Sequence, residues 1–197
     1  MKLTKRQYEI IVGTVLGDGF LQKTGKLNSR LRLEHSAKQK EYIFWKVKNL
    51  GRVFEGAPIF LARTHPITKK IYNYFRIQSN SMPELGKIHT IFYPNGKKKI
   101  PKNLDEILSP LSLAVWYMDD GYYSNRDHSG YLYLGKTGED EAKIAKEAIR
   151  KNFSLNPTIL NKKNKGFVIY FSPREMKKFS AIIQKFVIAE MRYKIPS

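Results

Sequence analysis

The sequence of 197 residues contains no cysteine, so it can form neither disulfide bonds nor thiolate metal sites. This lack fits a reducing compartment. Its four histidines, at positions 35, 65, 89 and 128, are scattered and show no spacing typical of a zinc site. No uninterrupted apolar stretch approaches the ~20 residues that a bilayer-spanning helix needs, so we expect no membrane partner.

Acidic residues are also scarce. Asp and Glu total 17 against 36 Lys and Arg, which leaves a formal net charge of +19. Because no long tail of like charge accounts for this excess, it indicates that the folded surface binds a polyanion. Nucleic acid is the leading candidate. An anionic membrane surface is the alternative, which the lack of a spanning segment makes weaker.

The order helix, strand, helix, hairpin, helix occurs twice, which predicts an internal duplication. In the first copy, apolar periodicity predicts helices over residues 5–16, 38–50 and 82–92, a strand over 29–35 and a hairpin of strands 58–63 and 70–78. In the second copy, it predicts helices over 110–118, 139–152 and 173–189, a strand around 131–134 and a hairpin of strands 157–161 and 167–171. We therefore expect repeats at residues 1–99 and 111–197, joined by a linker at 100–110.

Two stretches at corresponding points of this duplication end in an acidic residue followed by glycine. They are Ile11-Val12-Gly13-Thr14-Val15-Leu16-Gly17-Asp18-Gly19 and Leu113-Ala114-Val115-Trp116-Tyr117-Met118-Asp119-Asp120-Gly121. Each is typical of an apolar helix that ends abruptly. Because the negative end of the helix dipole repels a carboxylate at that position, we expect a cation beside both, and a divalent metal ion is the first candidate.

Glycine spacing in the first stretch predicts how these helices meet. Gly13 and Gly17 lie on one helix face and let another backbone approach closely. If the two helices pack side by side, Asp18 and Asp120 end close together and repel each other unless a metal ion binds them. Oxygen ligands suit Mg²⁺ or Mn²⁺, which can promote phosphodiester hydrolysis. A single Asp-Gly is more often an ordinary turn, but the repetition favours a site.

These stretches resemble the paired signature helices of the LAGLIDADG homing endonucleases in their single-chain, two-repeat form. The second stretch carries the most specific part of the resemblance, together with the downstream Tyr193-Lys194-Ile195-Pro196. The resemblance implies an α+β fold of two pseudo-symmetric αββαββα repeats, with the signature helices at their interface and antiparallel sheets that form a DNA-binding saddle. It also implies that Asp18 and Asp120 are metal-binding catalytic carboxylates. The backbone carbonyls of Gly17 and Asp119 assist them, while the Asp119 side chain has a second interpretation as a motif-end or solvent-facing carboxylate.

The resemblance further implies a basic residue near the metal site of each half. Lysine precedes an Ile-Pro pair in both repeats. We select Lys98 and Lys194 as catalytic residues that support charge on the phosphate, and Lys99 stays an alternative to Lys98. The family also has a water-orienting polar residue at a strand end. We assign none here, because Glu34-His35-Ser36 and Gly135-Lys136-Thr137 do not match each other.

Basic and aromatic residues alternate with apolar ones along the predicted strands. An ordinary solvated sheet explains this pattern, but the net charge favours contact with DNA base edges and phosphates. Lysines at the hairpin loops are expected to meet phosphates. The predicted DNA-binding residues are Arg30, Arg32, Lys69, Lys70, Tyr72, Tyr74, Arg76, Tyr131, Tyr133, Lys162, Lys163 and Lys165.

The sequence and the resemblance together predict a monomeric, site-specific endonuclease that cuts both strands of a long DNA target and leaves short 3′ overhangs. An RNA-splicing maturase that binds intron RNA is the main alternative, and a DNA-binding repressor is a weaker third. By family resemblance, we expect an intracellular protein of an organelle or of a microbial cytoplasm. Target specificity depends on which strand residues reach which bases and on how easily the central base steps deform.

Overall fold

A computed structural model describes residues 2–163 and 166–196 of the chain. The first half contains α1 (Lys5–Leu16), β1 (Phe20–Lys23), β2 (Ser29–Ser36), α2 (Lys40–Leu50), β3 (Ile59–Thr64), β4 (Ile71–Gln78) and α3 (Pro83–Phe92). A short helix, α4 (Leu104–Ile107), lies between the halves. The second half contains α5 (Pro110–Asp120), β5 (Gly121–Ser124), β6 (Ser129–Tyr133), α6 (Glu139–Phe153), β7 (Thr158–Asn161), β8 (Phe167–Phe171) and α7 (Pro173–Ile183). The expected pair of αββαββα repeats is confirmed.

Local sequence signals define where α1 and α5 begin. The Thr4 side chain accepts a hydrogen bond from the Gln7 N–H, and the Gln7 side chain accepts one from the Thr4 N–H. This reciprocal pair satisfies two of the backbone donors that a helix start leaves free. At the start of α5, the Ser109 side chain accepts a hydrogen bond from the Ser112 N–H, and Pro110 occupies the first helical position.

Helices α1 and α5 pack at backbone distance along the glycine face of α1. A Cβ atom added to Gly13 would lie 2.3 Å from the carbonyl oxygen of Ser112 and 2.8 Å from the Cβ of Val115. A Cβ atom added to Gly17 would lie 2.5 Å from the Cβ of Asp119. The predicted close approach is therefore confirmed, and the contact is asymmetric because only α1 supplies the glycines.

Each half has one antiparallel sheet of four strands, ordered β1-β2-β4-β3 and β5-β6-β8-β7. In the first sheet, Arg32 pairs with Gln78 and Glu34 with Arg76, so their side chains share one face. The alternate residues of the same strands, such as Leu33, are buried on the opposite face against the helices. The alternation of apolar and charged residues along the strands thus predicts the two faces correctly.

The structure differs from the sequence prediction at several points. Strands β1 and β5 carry too few alternating residues to be recognised, since only Leu21 is buried in β1. Helix α7 ends at Ile183 rather than near Ala189, because a 3₁₀ turn follows at Gln184–Phe186 and Val187 is extended. A second 3₁₀ segment then covers Ala189–Lys194. In the described part of the chain, no helix is long and apolar enough to cross a membrane.

Candidate metal and nucleic-acid site

The C-terminal ends of α1 and α5 bring Asp18 and Asp120 to one place. Burial, and then the charges of Asp18 and Asp119, raise the pKa of Asp120 to about 7. Partial burial and the Asp119 charge also raise the pKa of Asp18, although its side chain is 48% exposed. Both shifts mean that the negative forms lack sufficient compensation, which is the condition that a bound cation relieves.

Lys98 neutralises the end of α1. Its Nζ donates hydrogen bonds to the carbonyl oxygen of Gly17 at 2.5 Å and to that of Gly19 at 3.2 Å. An ammonium group there satisfies carbonyls that the helix leaves free and offsets the negative end of its dipole. Of the two lysines proposed for this position, Lys98 makes these bonds, and both line the cavity next to Asp120.

Lys194 does the same for α5. Its Nζ donates to the carbonyl oxygens of Met118 at 2.6 Å and Asp119 at 2.9 Å. The ammonium is buried, and burial lowers the pKa of Lys194. The carbonyls of Gly17 and Asp119, which we expected to assist a metal ion, therefore each accept a hydrogen bond from a lysine, and each retains one lone pair.

The Asp119 carboxylate is not at the surface, which corrects its interpretation as a solvent-facing group. Its two oxygens accept hydrogen bonds from Lys46 Nζ at 2.8 and 3.0 Å, and neither side chain is exposed. Its Oδ2 also accepts a bond from the backbone N–H of Asp18 at 3.3 Å. The absent side chain of Gly17 leaves the space that this carboxylate fills.

Sequence reasoning overlooked Lys46 and assigned no role to His35. Lys46 Nζ lies 3.1 Å from His35 Nε2, and His35 Nδ1 lies 4.0 Å from Asp18 Oδ2. Burial and the Lys46 charge lower the pKa of His35 to about 4. The sequence does contain a signal for both residues, which is a polar side chain in an apolar pattern. Lys46 follows Tyr42 by one helical turn on the apolar face of α2, and His35 continues the apolar register of β2.

Unlike exposed Asp18, Asp120 is half-buried. A cavity of about 310 Å³ borders it, with Lys98, Trp116 and Thr137 among its lining residues. Trp116 Nε1 and Thr137 Oγ1 are buried and have no hydrogen-bond partner among the described residues. The two halves therefore differ: a packed ionic network lies beside Asp18, and a cavity with apolar and polar lining lies beside Asp120.

The two sheets present different faces to solvent. In the first, Arg76 donates from Nε and Nη2 to Glu34 Oε2 at 2.9 and 2.7 Å, and its guanidinium lies over the Tyr74 ring. In the second, Tyr131 packs against Tyr122 and Tyr170, with ring centroids 6.0 and 5.2 Å apart. The first face is rich in arginine, and the second consists mainly of tyrosine.

The structure places most of the predicted DNA-binding residues on these two faces or at the loops beside them. Arg30, Arg32, Tyr72, Tyr74 and Arg76 share the front face of the first sheet, and Tyr131 and Tyr133 share that of the second. Lys69, Lys70, Lys162 and Lys163 are exposed at hairpin tips. Lys165 lies outside the described residues.

The fold and the site define a duplicated α+β protein that presents paired carboxylates between two antiparallel sheets. The chain belongs to the LAGLIDADG DNA endonuclease family, whose model matches residues 8–179. The resemblance on which the sequence interpretation rests is therefore confirmed.

Curated relatives cover almost the whole chain. The probable intron-encoded endonuclease 1 of Wickerhamomyces canadensis is 29% identical over 199 residues, covering 98% of this chain and 85% of that protein. Protein RecA of Mycobacterium shimoidei is 26% identical over 209 residues, covering 98% of this chain and 47% of RecA. The cytochrome b mRNA maturase bI2 of Saccharomyces cerevisiae is 28% identical over 210 residues, covering 94% of this chain and 46% of the maturase. The chain thus spans about half the length of the RecA and maturase relatives.

Solved structures share the fold. The homing endonuclease I-WcaI bound to its DNA recognition sequence matches with a TM-score of 0.91 and 27% identity, covering 100% of this chain and 88% of that one. I-DmoI in complex with DNA and Mn matches with a TM-score of 0.53 and 11% identity, covering 93% of this chain and 99% of that one. The second likeness supports the fold alone.

Proposed function

We propose that this chain is a metal-dependent endonuclease that recognises a long double-stranded DNA target and cuts both strands. The observation that carries the proposal is the pairing of Asp18 and Asp120 at the ends of two packed helices. A protein that only binds DNA needs no such pair of repelling carboxylates. The net charge of +19 supplies the attraction for the phosphate backbone, and the DNA complex of I-WcaI supports the choice of substrate.

The donor set fits a hard divalent ion such as Mg²⁺ or Mn²⁺. Within the described residues, the carboxylates of Asp18 and Asp120 make no ion pair with a lysine or arginine, and their surroundings offer carbonyl oxygens. Ligands of this kind are those that Mg²⁺ and Mn²⁺ prefer. When bound, such an ion lowers the pKa of a water molecule and offsets charge on the phosphate. Asp18 and Asp120 would hold it.

Lys98 and Lys194 have a donor left for the reaction. A lysine ammonium has three N–H donors, and each of these two uses two of them on helix-end carbonyls. The third donor can bind an oxygen of the phosphate as negative charge develops during hydrolysis. A donor fixed in advance needs little reorganisation at that moment, which is the basis of electrostatic stabilisation.

The sheets supply recognition. The arginines of the first face can bind guanine edges in the major groove, and the exposed lysines at the hairpin tips can bind phosphates without reading sequence. Because one chain carries both catalytic carboxylates, a monomer suffices to cut both strands. We expect the two cuts to be offset across the minor groove and to leave short 3′ overhangs.

Incubation with a library of long duplexes and Mg²⁺ tests the proposal. We expect double-strand breaks at one defined sequence, with 3′ overhangs, and no breaks when EDTA removes the metal. Breaks at unrelated positions, or cleavage that persists in EDTA, would contradict it. Size-exclusion chromatography with light scattering measures the mass of the active species and tests whether it is a monomer.

An RNA-splicing maturase is the second candidate, and the similarity to the yeast maturase bI2 favours it. That function needs a basic surface but not the paired carboxylates. If no divalent ion supports cleavage of any duplex while an intron RNA binds tightly, the maturase function is the correct one. If the protein both cuts a defined duplex and binds intron RNA, the proposed endonuclease activity stands beside it.

A further inference from the structure

Lys46 is the one lysine in the described part of the chain that the structure buries completely, and it joins the two halves. It projects from α2 of the first half, and its Nζ binds both carboxylate oxygens of Asp119 on α5 of the second half. It also lies 4.4 Å from the centroid of the Tyr42 ring. Removing two charges from water is costly, so packing alone does not explain why the Lys46–Asp119 pair is buried.

The pair acts directly on the backbone of Asp18. Asp119 Oδ2 is bound to Lys46 and at the same time accepts the N–H of Asp18 at 3.3 Å. The carboxylate reaches that N–H because Gly17 has no side chain to block it. Lys46 therefore fixes Asp119, and Asp119 fixes the start of the segment that carries the catalytic carboxylate.

Lys46 also determines which nitrogen of His35 carries the proton. An ammonium group can only donate, so His35 Nε2, at 3.1 Å from Lys46 Nζ, must accept. A neutral imidazole that accepts at Nε2 carries its hydrogen at Nδ1. Nδ1 is buried, has no hydrogen-bond partner among the described residues, and lies 4.0 Å from Asp18 Oδ2. That distance is too long for a direct hydrogen bond, so the Nδ1–H lies near Asp18 without bonding to it.

The same contacts exclude an obvious alternative. Ligand atoms of Asp18, His35 and Asp119 lie within 4.8 Å of one another, as in a three-ligand metal site. Asp119 Oδ2 already accepts two hydrogen bonds, from Lys46 and from the Asp18 N–H, and Lys46 occupies the His35 Nε2 lone pair. Of the three side chains, only that of Asp18 is exposed, so Asp18 is the one that is open to an ion. The cluster is a positioning network that surrounds one ligand.

We propose that Lys46 is a positioning residue for the Asp18 half of the site, which it serves by holding Asp119 under the Asp18 backbone and aiming the His35 Nδ1–H at the Asp18 carboxylate. This inference rests on the proposed endonuclease function. Among the described residues, the second half has no equivalent of Lys46, because α6 buries the alanines Ala142, Ala145 and Ala148, and a cavity borders Asp120. Loss of Lys46 should therefore slow the cut in one strand more than the cut in the other.

Strand-resolved cleavage of an end-labelled target tests this expectation. Lys46→Met alone leaves Asp119 buried without a partner and can prevent folding, so the informative variant is Lys46→Met/Asp119→Asn, which removes both charges. We expect it to fold, to cut one strand about 10- to 100-fold more slowly, as loss of such supporting contacts typically does, and to accumulate nicked DNA. Lys48→Met is the matched control, because Lys48 is exposed on the same helix. Equal slowing of both strands, or none, in a folded double variant would overturn the proposal.

Nitrogen-15 NMR of the histidine rings gives a second measurement that does not need cleavage. We expect His35 in the wild-type protein and in Lys48→Met to carry its proton on Nδ1, and the double variant to lose this preference. A proton on Nε2 in the wild-type protein contradicts the role of Lys46 whether or not the protein cuts DNA. If the wild-type protein shows the expected tautomer but cuts no duplex, the endonuclease function fails and the contact between Lys46 and His35 stands.

Discussion

Helices α1 and α5 end in matching aspartates, but the spaces around those aspartates are filled differently. Beside Asp18, the carboxylate of Asp119 occupies the space over Gly17 and is bound to buried Lys46. Beside Asp120, a cavity of about 310 Å³ takes the place of such a network. The two helix ends share a carboxylate and a lysine that binds the terminal carbonyls, while the remaining surroundings of each end differ.

The sheets diverge in the same manner. The first has two strands of eight residues and presents arginines, two of which, Arg63 and Arg76, form ion pairs with Glu34. The second has strands of four or five residues and presents stacked tyrosines. Arginine can read guanine and bind phosphate, whereas a neutral ring contributes packing. We therefore expect the first half to contribute more of the charge-dependent affinity.

The largest effect is expected from the aspartates at the ends of α1 and α5, which the two halves share. Asp18→Asn and Asp120→Asn each remove one carboxylate charge, and we expect each to lower double-strand cleavage on the order of 10³-fold or more, as loss of a catalytic group does. DNA binding should be retained, because the loss of one negative charge does not weaken the attraction of the protein to the phosphates. Cleavage assays and gel shifts measure the two quantities. Asp140→Asn is the control on exposed Asp140, and a double-strand cut at the wild-type rate by either site variant would contradict the assignment.

The lysines at the helix ends come next. Lys98→Met and Lys194→Met each remove an ammonium that can donate to the phosphate, and we expect cleavage to fall about 10²- to 10³-fold, as for other fixed donors. Lys99→Met is the matched control for the neighbouring position. If Lys99→Met is the slower enzyme, the choice between the two lysines in the first half must be reversed. Single-turnover rates at saturating Mg²⁺ make the comparison.

The two sheet faces are compared through the salt dependence of binding. Arg32→Ala should weaken binding by about 1–3 kcal/mol and reduce the slope of log affinity against log salt by about one if Arg32 contacts a phosphate. Tyr131→Ala should weaken binding but leave that slope unchanged, because tyrosine releases no counterion. Fluorescence anisotropy over a range of salt concentrations measures both. If the slope of log affinity against log salt is the same for the two variants, the first half does not contribute more of the charge-dependent affinity than the second.

The asymmetric helix contact predicts a loss of stability rather than of chemistry. Gly13→Ala places a Cβ atom 2.3 Å from the Ser112 carbonyl oxygen, and overpacking of this kind typically costs about 1–3 kcal/mol of unfolding free energy. Gly25→Ala is the control, since nothing lies within 4 Å of its added Cβ atom. Urea unfolding monitored by circular dichroism measures both. If the two variants are equally stable, the helices are not packed as closely as the structure has them.

Much of this arrangement follows from the sequence, because its signals are local. The helix predicted over residues 5–16 is α1 as observed, and the alternation in β2 and β4 places the arginines and tyrosines on the correct face. The Lys46–Asp119 pair could not be predicted, since its members lie 73 positions apart and meet only when the halves pack. A lysine on an apolar helix face indicates a buried charge, but nothing local identifies its partner. The cavity beside Asp120 is likewise a product of packing.

The smallest effect concerns pH and again separates the two aspartates. In the unfolded chain, the pKa of an aspartate is about 3.9, whereas in the folded metal-free protein the pKa of Asp120 is raised to about 7. Between these values, the folded state binds the proton more tightly, so the contribution of Asp120 to the unfolding free energy falls as pH rises. The lowered pKa of His35, about 4, has the opposite effect over part of this range. The pH dependence of the total unfolding free energy therefore cannot be assigned to Asp120 alone.

The difference between wild type and Asp120→Asn isolates the contribution of Asp120. In EDTA, we expect the wild-type protein to lose stability relative to this variant as pH rises from 4 to 7, and to show no further relative change above pH 8. The pKa of Asp18 is also raised, though less, so the same comparison with Asp18→Asn should give a smaller change of the same sign. Urea unfolding at each pH measures both differences. A relative gain in wild-type stability over this range would mean that Asp120 is compensated without a cation, and the argument for a metal ion would then rest on Asp18.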